Sequence, residues 1–213
     1  MTPANAHDAT AVEDLLGPVA EEVHKPTVMG DSAYAGADTL DGLEAAGFAD
    51  VKAKVPPARG REGRFGKDDF DVDLHTATVT CPAANVAPIR FGSDGAGRAD
   101  FAAACTGCPL RDRCTTSASG RSVSIHAKEE VLQRHKAAQA DPAWQEAYRS
   151  TRPKVERKIA HFVRVAWGGR KARTRGKERV ATDVDTRAAA INWARMATLG
   201  LSLVDGRWAA APP

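Results

Sequence analysis

The residues best suited to chemistry are two carboxylates that lie far apart in the chain. Asp31 follows a short apolar run ending at Gly30, and Glu156 lies in the most basic segment of the sequence. A carboxylate flanked by cations at the rim of a core can hold a metal ion beside a phosphate backbone. Each also has an ordinary alternative: Asp31 as a turn or helix-capping aspartate, and Glu156 as one member of an i,i+4 ion pair on a solvated helix.

The charge distribution singles out the segment 151–180. It contains eleven basic and two acidic residues, whereas residues 1–50 contain ten acidic residues and one lysine, and the whole chain has a net charge of +3. A nearly neutral chain with one concentrated basic segment is typical of proteins that bind polyanions.

The elements around Glu156 are expected to be helices. Pro153 fits the first turn of a helix whose apolar face includes Val155 and Ile159, so Glu156 is expected near the helix start, where the helix dipole tolerates negative charge. A last helix is expected after a cap at Thr182-Asp183.

The N-terminal part, residues 1–57, reads as helix, strand, helix, strand, which predicts part of an α/β sheet. Asp8 or Thr10 is expected to cap the first helix, and Gly47 to end the second. Asp31 then lies just past the carboxyl end of a strand, where α/β folds place chemistry.

Residues 58–126 have a different character and predict a β-rich, cysteine-containing insertion. Two short strand-like runs surround His75-Thr76 as a hairpin, and the run Arg121–Ile125 is expected to be a strand returning to the main body. Residues 127–213 return to helical patterns and complete the core, with the arginine-rich stretch 170–177 as a DNA-contacting loop.

The insertion holds all the cysteines of the chain: Cys81, Cys105, Cys108 and Cys114. In a reducing compartment, clustered thiols favour metal ligation over disulfides, and four thiolates suit tetrahedral zinc. The spacing is irregular, with one tight C-x2-C pair, so buried free cysteines, an iron–sulfur cluster and disulfides stay open as alternatives.

Several motifs in order resemble the bacterial insertion-sequence transposases of the DDE type. They are Thr2–Asn5, Gly30–Gly36, Thr78–Pro82, Cys105–Thr116, Arg152–His161, Arg170–Gly176 and Ala188–Asn192. The resemblance covers nearly the whole chain. It implies a ribonuclease H-like α/β fold in which three acidic residues bind two Mg²⁺ ions for metal-dependent DNA strand cleavage and transfer during transposition.

By this resemblance Asp31 corresponds to the second catalytic acidic residue and Glu156 to the third, and the stretch between them to an insertion domain. Transposon-end DNA is the implied partner, with a full-length transposase or a second copy as a protein partner. Basic residues suited to holding DNA phosphates are Arg152, Arg157, Lys158, Arg164, Arg170, Lys171, Arg173, Arg175 and Lys177. Tyr148 and Arg164 lie near places where the family has functional residues, with the spacing one residue off.

The sequence departs from the family at its start. The first acidic residue of the family lies upstream of the segment matched by Thr2–Asn5, and Asp8 is wrongly placed to replace it. The expectation is therefore a partial ribonuclease H-like core, as in the C-terminal portion of a transposase, that is inactive alone. A non-catalytic DNA-binding module and a zinc-stabilised module are the alternatives. No apolar run approaches a membrane span and no secretory signal is recognisable, so a cytoplasmic location is expected.

Overall fold

The computed structural model describes residues 7–21, 25–204 and 206–210, and these divide into two compact units, one that ends at Gln145 and one that begins at Glu146. It is a mixed α/β protein, as the sequence predicted. The regular elements of the first unit are α1 Val12–Ala20, β1 Val28–Gly30, α2 Ala37–Ala45, β2 Val51–Ala53, β3 Asp71–Asp73, β4 Thr78–Thr80, β5 Val86–Phe91, β6 Gly97–Asp100, α3 Arg111–Cys114, β7 Ser122–Ile125 and α4 Glu129–Ala140.

The N-terminal helix–strand–helix–strand order is confirmed. Strands β1 and β2 pair in parallel, with Val28 opposite Val51, and α2 connects them. Leu40 of α2 is fully buried and Phe48 is 1% exposed, so this helix packs its apolar face into the core of the β-α-β element. A sheet with a helix on it is the arrangement that buries such a face.

Glycine ends α2 as expected. Gly47 has φ of +84°, a conformation that residues with a Cβ rarely adopt, and the amide of Phe48 donates to the carbonyl of Leu43 at 3.0 Å. The chain thereby leaves the helix and turns into β2.

The predicted cap of the first helix is wrong. A 3-10 turn, Asp8–Ala11, precedes α1, and its cap is His7, whose Nδ1 accepts a hydrogen bond from the amide of Ala9 at 3.2 Å. Thr10 lies inside this turn, and its hydroxyl donates to the carbonyl of His7 instead of capping a helix. Sequence patterns place helix starts poorly because a short 3-10 turn can precede the α-helix.

The β-rich stretch forms a five-stranded antiparallel sheet in the order β3-β4-β5-β6-β7. The predicted hairpin is confirmed as β3 and β4, and the side chains of Val79 and Ala99 are fully buried in its core. Strands β5 and β6 were not predicted from the sequence. The strand predicted at 121–125 is present as β7, and it pairs antiparallel with β6 as the last strand of this sheet.

Helix α4 ties this sheet to the β-α-β element within the first unit. Its Glu129 is buried, with 5% of its surface exposed, and forms an ion pair with Lys67. Lys67 begins the 3-10 turn Lys67–Asp69 that precedes β3. Just before the helix, Lys128 lies 2.5 Å from Asp41 of α2. Val131 of α4 completes the core of the β-α-β element.

The second unit contains most of a long helix, a second long helix and a hairpin. They are α5 Pro142–Phe162, α6 Lys177–Thr198, β8 Leu201–Val204 and β9 Arg207–Ala210. The boundary between the units falls within α5, after Gln145. The hairpin was not predicted. The terminal run 209–213 reads in the sequence as a frayed tail, but Ala209 and Ala210 belong to β9, and residues 211–213 lie outside the described residues.

Two predictions about these helices are wrong. Pro153 does not start a helix; it lies inside α5, which runs through it, so Glu156 is well inside the helix and away from its N-terminus. Thr182 and Asp183 do not cap α6, which begins after Gly176. A proline inside a helix removes one amide donor and crowds the preceding turn, so local rules predict a break at Pro153, yet α5 continues through it. The apolar stripe of α5 is also less buried than expected, with Ile159 55% exposed.

Within the part of the chain that the structure describes, no helix combines the length and apolarity that a membrane span requires.

Candidate catalytic carboxylates and nucleic-acid groove

Asp31 lies directly after β1, at the carboxyl end of the strand, as predicted. It caps the 3-10 turn Ser32–Tyr34, where its Oδ1 accepts a hydrogen bond from the amide of Ala33 at 2.8 Å. The preceding Gly30 suits this tight turn, since a Cβ there would lie 3.0 Å from the Cβ of Tyr34. The structure therefore shows Asp31 in the capping role that was the ordinary alternative. Its carboxylate is half-buried and lies at the carboxyl end of β1.

Glu156 projects from α5 as one member of an ion pair. Nη2 of Arg152, one helical turn earlier, lies 2.5 Å from its Oε1, and the glutamate side chain is 54% exposed. This is the i,i+4 pair that the ordinary interpretation predicted. It also means that a predicted DNA-binding cation and a predicted catalytic carboxylate neutralise each other here.

The two carboxylates lie in different compact units, Asp31 in the first and Glu156 in the second. Their meeting at one cation therefore stays a prediction. Among residues 7–21, 25–204 and 206–210, no group of three or more histidine, cysteine, aspartate or glutamate side chains is arranged to hold a metal ion. A complete three-carboxylate site is thus not formed by the described residues.

The basic segment contributes to a groove within the second unit. This groove has a volume of about 550 Å³ and lies between α5, the turn after it, and α6. Its lining includes four cationic side chains, two of them, Arg157 and Lys158, on the predicted DNA-binding list. The complete described lining is Lys154, Arg157, Lys158, His161, Trp167, Ile191, Ala194, Arg195 and Thr198.

Sequence reasoning missed part of this groove. Lys154 and Arg195 line it, but neither is among the cations predicted to hold DNA phosphates. The rings of His161 and Trp167 approach to 5.8 Å between centroids, at a tilt of 34°. The missed signal was spacing: Lys154, Lys158 and His161 recur at three- and four-residue steps and so share a helix face.

The arginine-rich loop before α6 is only partly available to a ligand. Nε of Arg173 donates to Oδ1 of Asp183 at 3.0 Å, and Nη2 of the buried Arg187 lies 2.5 Å from the other oxygen of that carboxylate. The hydrogen bond from Arg173, with that from Arg187, lowers the pKa of Asp183 against the opposing effect of burial. Arg187 also donates to the carbonyl of Gly169 at 2.9 Å, which fastens the loop to α6.

The remaining predicted cations of the segment are exposed: Arg164, Arg170, Lys171, Arg175 and Lys177. Arg164 precedes the 3-10 turn Val165–Trp167, and its carbonyl accepts the amide of Gly169 at 2.9 Å. Gly168, with φ of +105°, closes this turn against Arg187, whose Cζ would lie 2.7 Å from an added Cβ.

The four cysteines surround a single small cavity of about 20 Å³ in the first unit. Cys105 and Cys114 are buried, Cys81 and Cys108 are half-buried, and none forms a disulfide. Burial raises the pKa of the Cys114 thiol, Arg121 opposes that rise, and the three other thiols add to it. The structure brings the thiols together without arranging them as a finished metal site.

Comparison with known proteins gives one family. No curated protein and no solved structure matches the chain. A family model described as the transposase DDE domain matches residues 80–197, more than half of the chain. The matched range contains Glu156, all four cysteines and the groove's lining residues except Thr198, and it begins after Asp31. The chain therefore belongs to the transposase DDE domain family.

Proposed function

We propose that the chain is a DNA-binding part of a DDE transposase that acts in DNA strand cleavage and transfer during the transposition of an insertion sequence. The observation that carries this proposal is the groove between α5 and α6, which lies within the matched residues except for Thr198. Membership of the family supports transposition as the process, and the groove supports contact with a polyanion.

The groove suits a nucleic-acid backbone because its charged lining is cationic. Lys154, Arg157, Lys158 and Arg195 line it, and no carboxylate is among its described lining residues. Each cation that neutralises a phosphate releases condensed counterions, which favours binding at low salt. The adjoining rings of His161 and Trp167 offer apolar area for a sugar or an unstacked base.

Asp31 and Glu156 are proposed as two of the carboxylates of the catalytic site, in a ribonuclease H-like core. Both offer the hard oxygen ligands that Mg²⁺ prefers. Asp31 accepts one hydrogen bond, from the amide of Ala33, and Glu156 pairs with Arg152; an ion could bind beside the first contact and displace the second. Magnesium ions bound there would supply charge neutralisation at the reacting phosphate. The proposal covers these two carboxylates, which sit in separate units of the described structure.

Arg152 is proposed to link DNA binding to the exposure of the Glu156 carboxylate. An exposed i,i+4 ion pair is worth about 0.3–0.5 kcal/mol, so the pair with Glu156 opens readily. A phosphate that binds Arg152 frees the carboxylate of Glu156, and the guanidinium then positions the backbone. DNA binding and exposure of the carboxylate are thereby coupled in the proposal.

Salt-dependent DNA binding tests the first part. The full chain is titrated with a short fluorescein-labelled duplex of mixed sequence at several salt concentrations. Four phosphate contacts predict a slope of log K against log salt of about −3.6, at roughly −0.9 per contact. Binding without salt dependence, or no binding at low salt, would contradict the proposed groove. Sedimentation of the same complexes tests whether a second copy of the chain joins on the DNA.

Iron-directed cleavage tests the carboxylates. Fe²⁺ takes the place of Mg²⁺ and, with ascorbate and peroxide, cuts the polypeptide next to the bound ion. If Asp31 and Glu156 share a cation, backbone cuts appear near both residues, Mg²⁺ suppresses them, and D31N removes both. Cuts near only one of the two residues would show that they do not meet.

A further inference from the structure

We propose that Cys81, Cys105, Cys108 and Cys114 bind one structural Zn²⁺ at the end of the five-stranded sheet. This inference concerns the first unit and is independent of the proposed function.

The topology delivers the thiols from separate elements. Cys81 comes directly after β4, Cys105 ends the 3-10 turn Ala102–Cys105 that follows β6, and Cys114 is the last residue of α3. Cys108 lies between the 3-10 turn Ala102–Cys105 and α3. All four line the same cavity of about 20 Å³, which is close to the smallest space that holds one water molecule. Four thiols on the lining of one small cavity supply the donor set that a tetrahedral zinc site uses.

Local turns present the sulfur atoms to hydrogen-bond donors. The amide of Arg121 donates to Sγ of Cys105 at 3.3 Å, and Nδ2 of Asn85 approaches Sγ of Cys81 at 3.7 Å. Such donors stabilise a thiolate more than a thiol, because the charged acceptor gains more from each hydrogen bond.

Two arginines add cationic charge to the lining. Four thiolates on Zn²⁺ carry a net charge of −2, which needs compensation in a partly buried place. Arg111 and Arg121 both line the cavity. Arg111 is held by the carbonyl of Cys105 at 2.8 Å, while Nε of Arg121 is buried without a hydrogen-bond partner among the described residues.

The connection from β6 to β7 gains most from such an ion. The regular structure of residues 101–121 is a 3-10 turn and the four-residue helix α3. The buried side chains of this stretch are those of Phe101, Cys105 and Cys114. A long connection with little regular structure needs another source of order. The thiols are not already arranged as a metal site, so zinc binding requires the four Sγ atoms to move closer together.

The test uses the purified full chain under reducing conditions. Elemental analysis should give about one zinc per chain, and Co²⁺ substitution should produce the intense sulfur-to-cobalt absorption of tetrahedral thiolate coordination. With metal bound, the four thiols should resist Ellman's reagent, and chelation should expose all of them. The chain has no other cysteines, so the thiol count is direct.

Two variants sharpen the result. C108S removes a half-buried ligand with little change in core packing and should abolish the cobalt spectrum, whereas T106S, at an exposed position between two ligands, should keep it. Substoichiometric zinc with four freely reactive thiols in the unmodified chain would overturn the proposal. So would a mass lowered by disulfide formation under the same conditions, or a visible Fe–S chromophore with no zinc.

Discussion

Arg152 and Glu156 form an ion pair across one turn of α5, with Nη2 of the arginine 2.5 Å from Oε1 of the glutamate. One is a predicted phosphate contact and the other a predicted catalytic carboxylate. Because the glutamate is 54% exposed, the pair stabilises the helix only weakly, and its residues are free to serve a ligand instead.

E156Q separates the functional role of this glutamate from its structural one. Loss of an exposed i,i+4 pair should change the free energy of unfolding by less than about 0.5 kcal/mol, whereas Mg²⁺-dependent strand cleavage by an active transposase assembly containing this chain should be lost. E146Q is the matched control, since Glu146 pairs with Arg149 on the same helix at 2.7 Å. Equal activity of the two variants would remove Glu156 from the catalytic site.

Each cation of the groove should contribute to DNA affinity without sequence preference. Replacing Lys154, Arg157 or Arg195 by alanine should reduce the magnitude of the salt slope by about 0.9. Fluorescence anisotropy with a mixed-sequence duplex measures it. R149A is the control, because Arg149 lies on the same helix but does not line the groove. An equal loss for R149A would indicate a diffuse charge effect, not a groove.

The pair of Asp183 with Arg187 should make the second unit sensitive to acid. The arginines lower the pKa of Asp183, so its stabilising contribution is present above the unfolded pKa of about 3.9 and is lost as pH falls through the lower folded value. D183N should lower the denaturant midpoint at pH 7 and flatten its dependence on pH below about 4. Helical circular dichroism across a denaturant series measures both effects.

D185N, a change of an exposed aspartate two residues away on α6, provides the comparison for D183N. If D185N lowers the denaturant midpoint at pH 7 as much as D183N does, the loss of stability comes from removing a negative charge from α6. It would then not come from breaking the ion pair between Asp183 and the buried Arg187.

The core of the β-α-β element predicts a contrast between two leucines. Leu40 is fully buried, so L40A should cost about 2–5 kcal/mol in unfolding free energy through lost burial and a cavity. Leu15 of α1 is 65% exposed, and L15A should cost about 0.5 kcal/mol or less. Urea denaturation compares them, and similar costs would show that α1 is packed differently from the structure described here.

Local patterns in the sequence determined a good part of this protein. The β1-α2-β2 order, the stop at Gly47, the hairpin of β3 and β4 and the position of Asp31 after a strand all follow from hydrophobic periodicity and from residues with special backbone preferences. These signals act over a few residues, and so they survive without knowledge of the fold. The family resemblance, confirmed over residues 80–197, also rests on motifs read directly from the chain.

Only the tertiary structure decided what depends on distant partners. Pro153 sits within α5 although local rules favour a break. Strand β7 pairs with β6, a four-residue strand that the sequence pattern did not reveal. The groove joins Lys154 and Arg195, forty-one positions apart, because two helices meet there. Charge composition identifies the basic segment. It does not show that Arg173 is paired with Asp183 whereas Arg157 lines an open groove, because ion pairs depend on which residues the tertiary structure brings together.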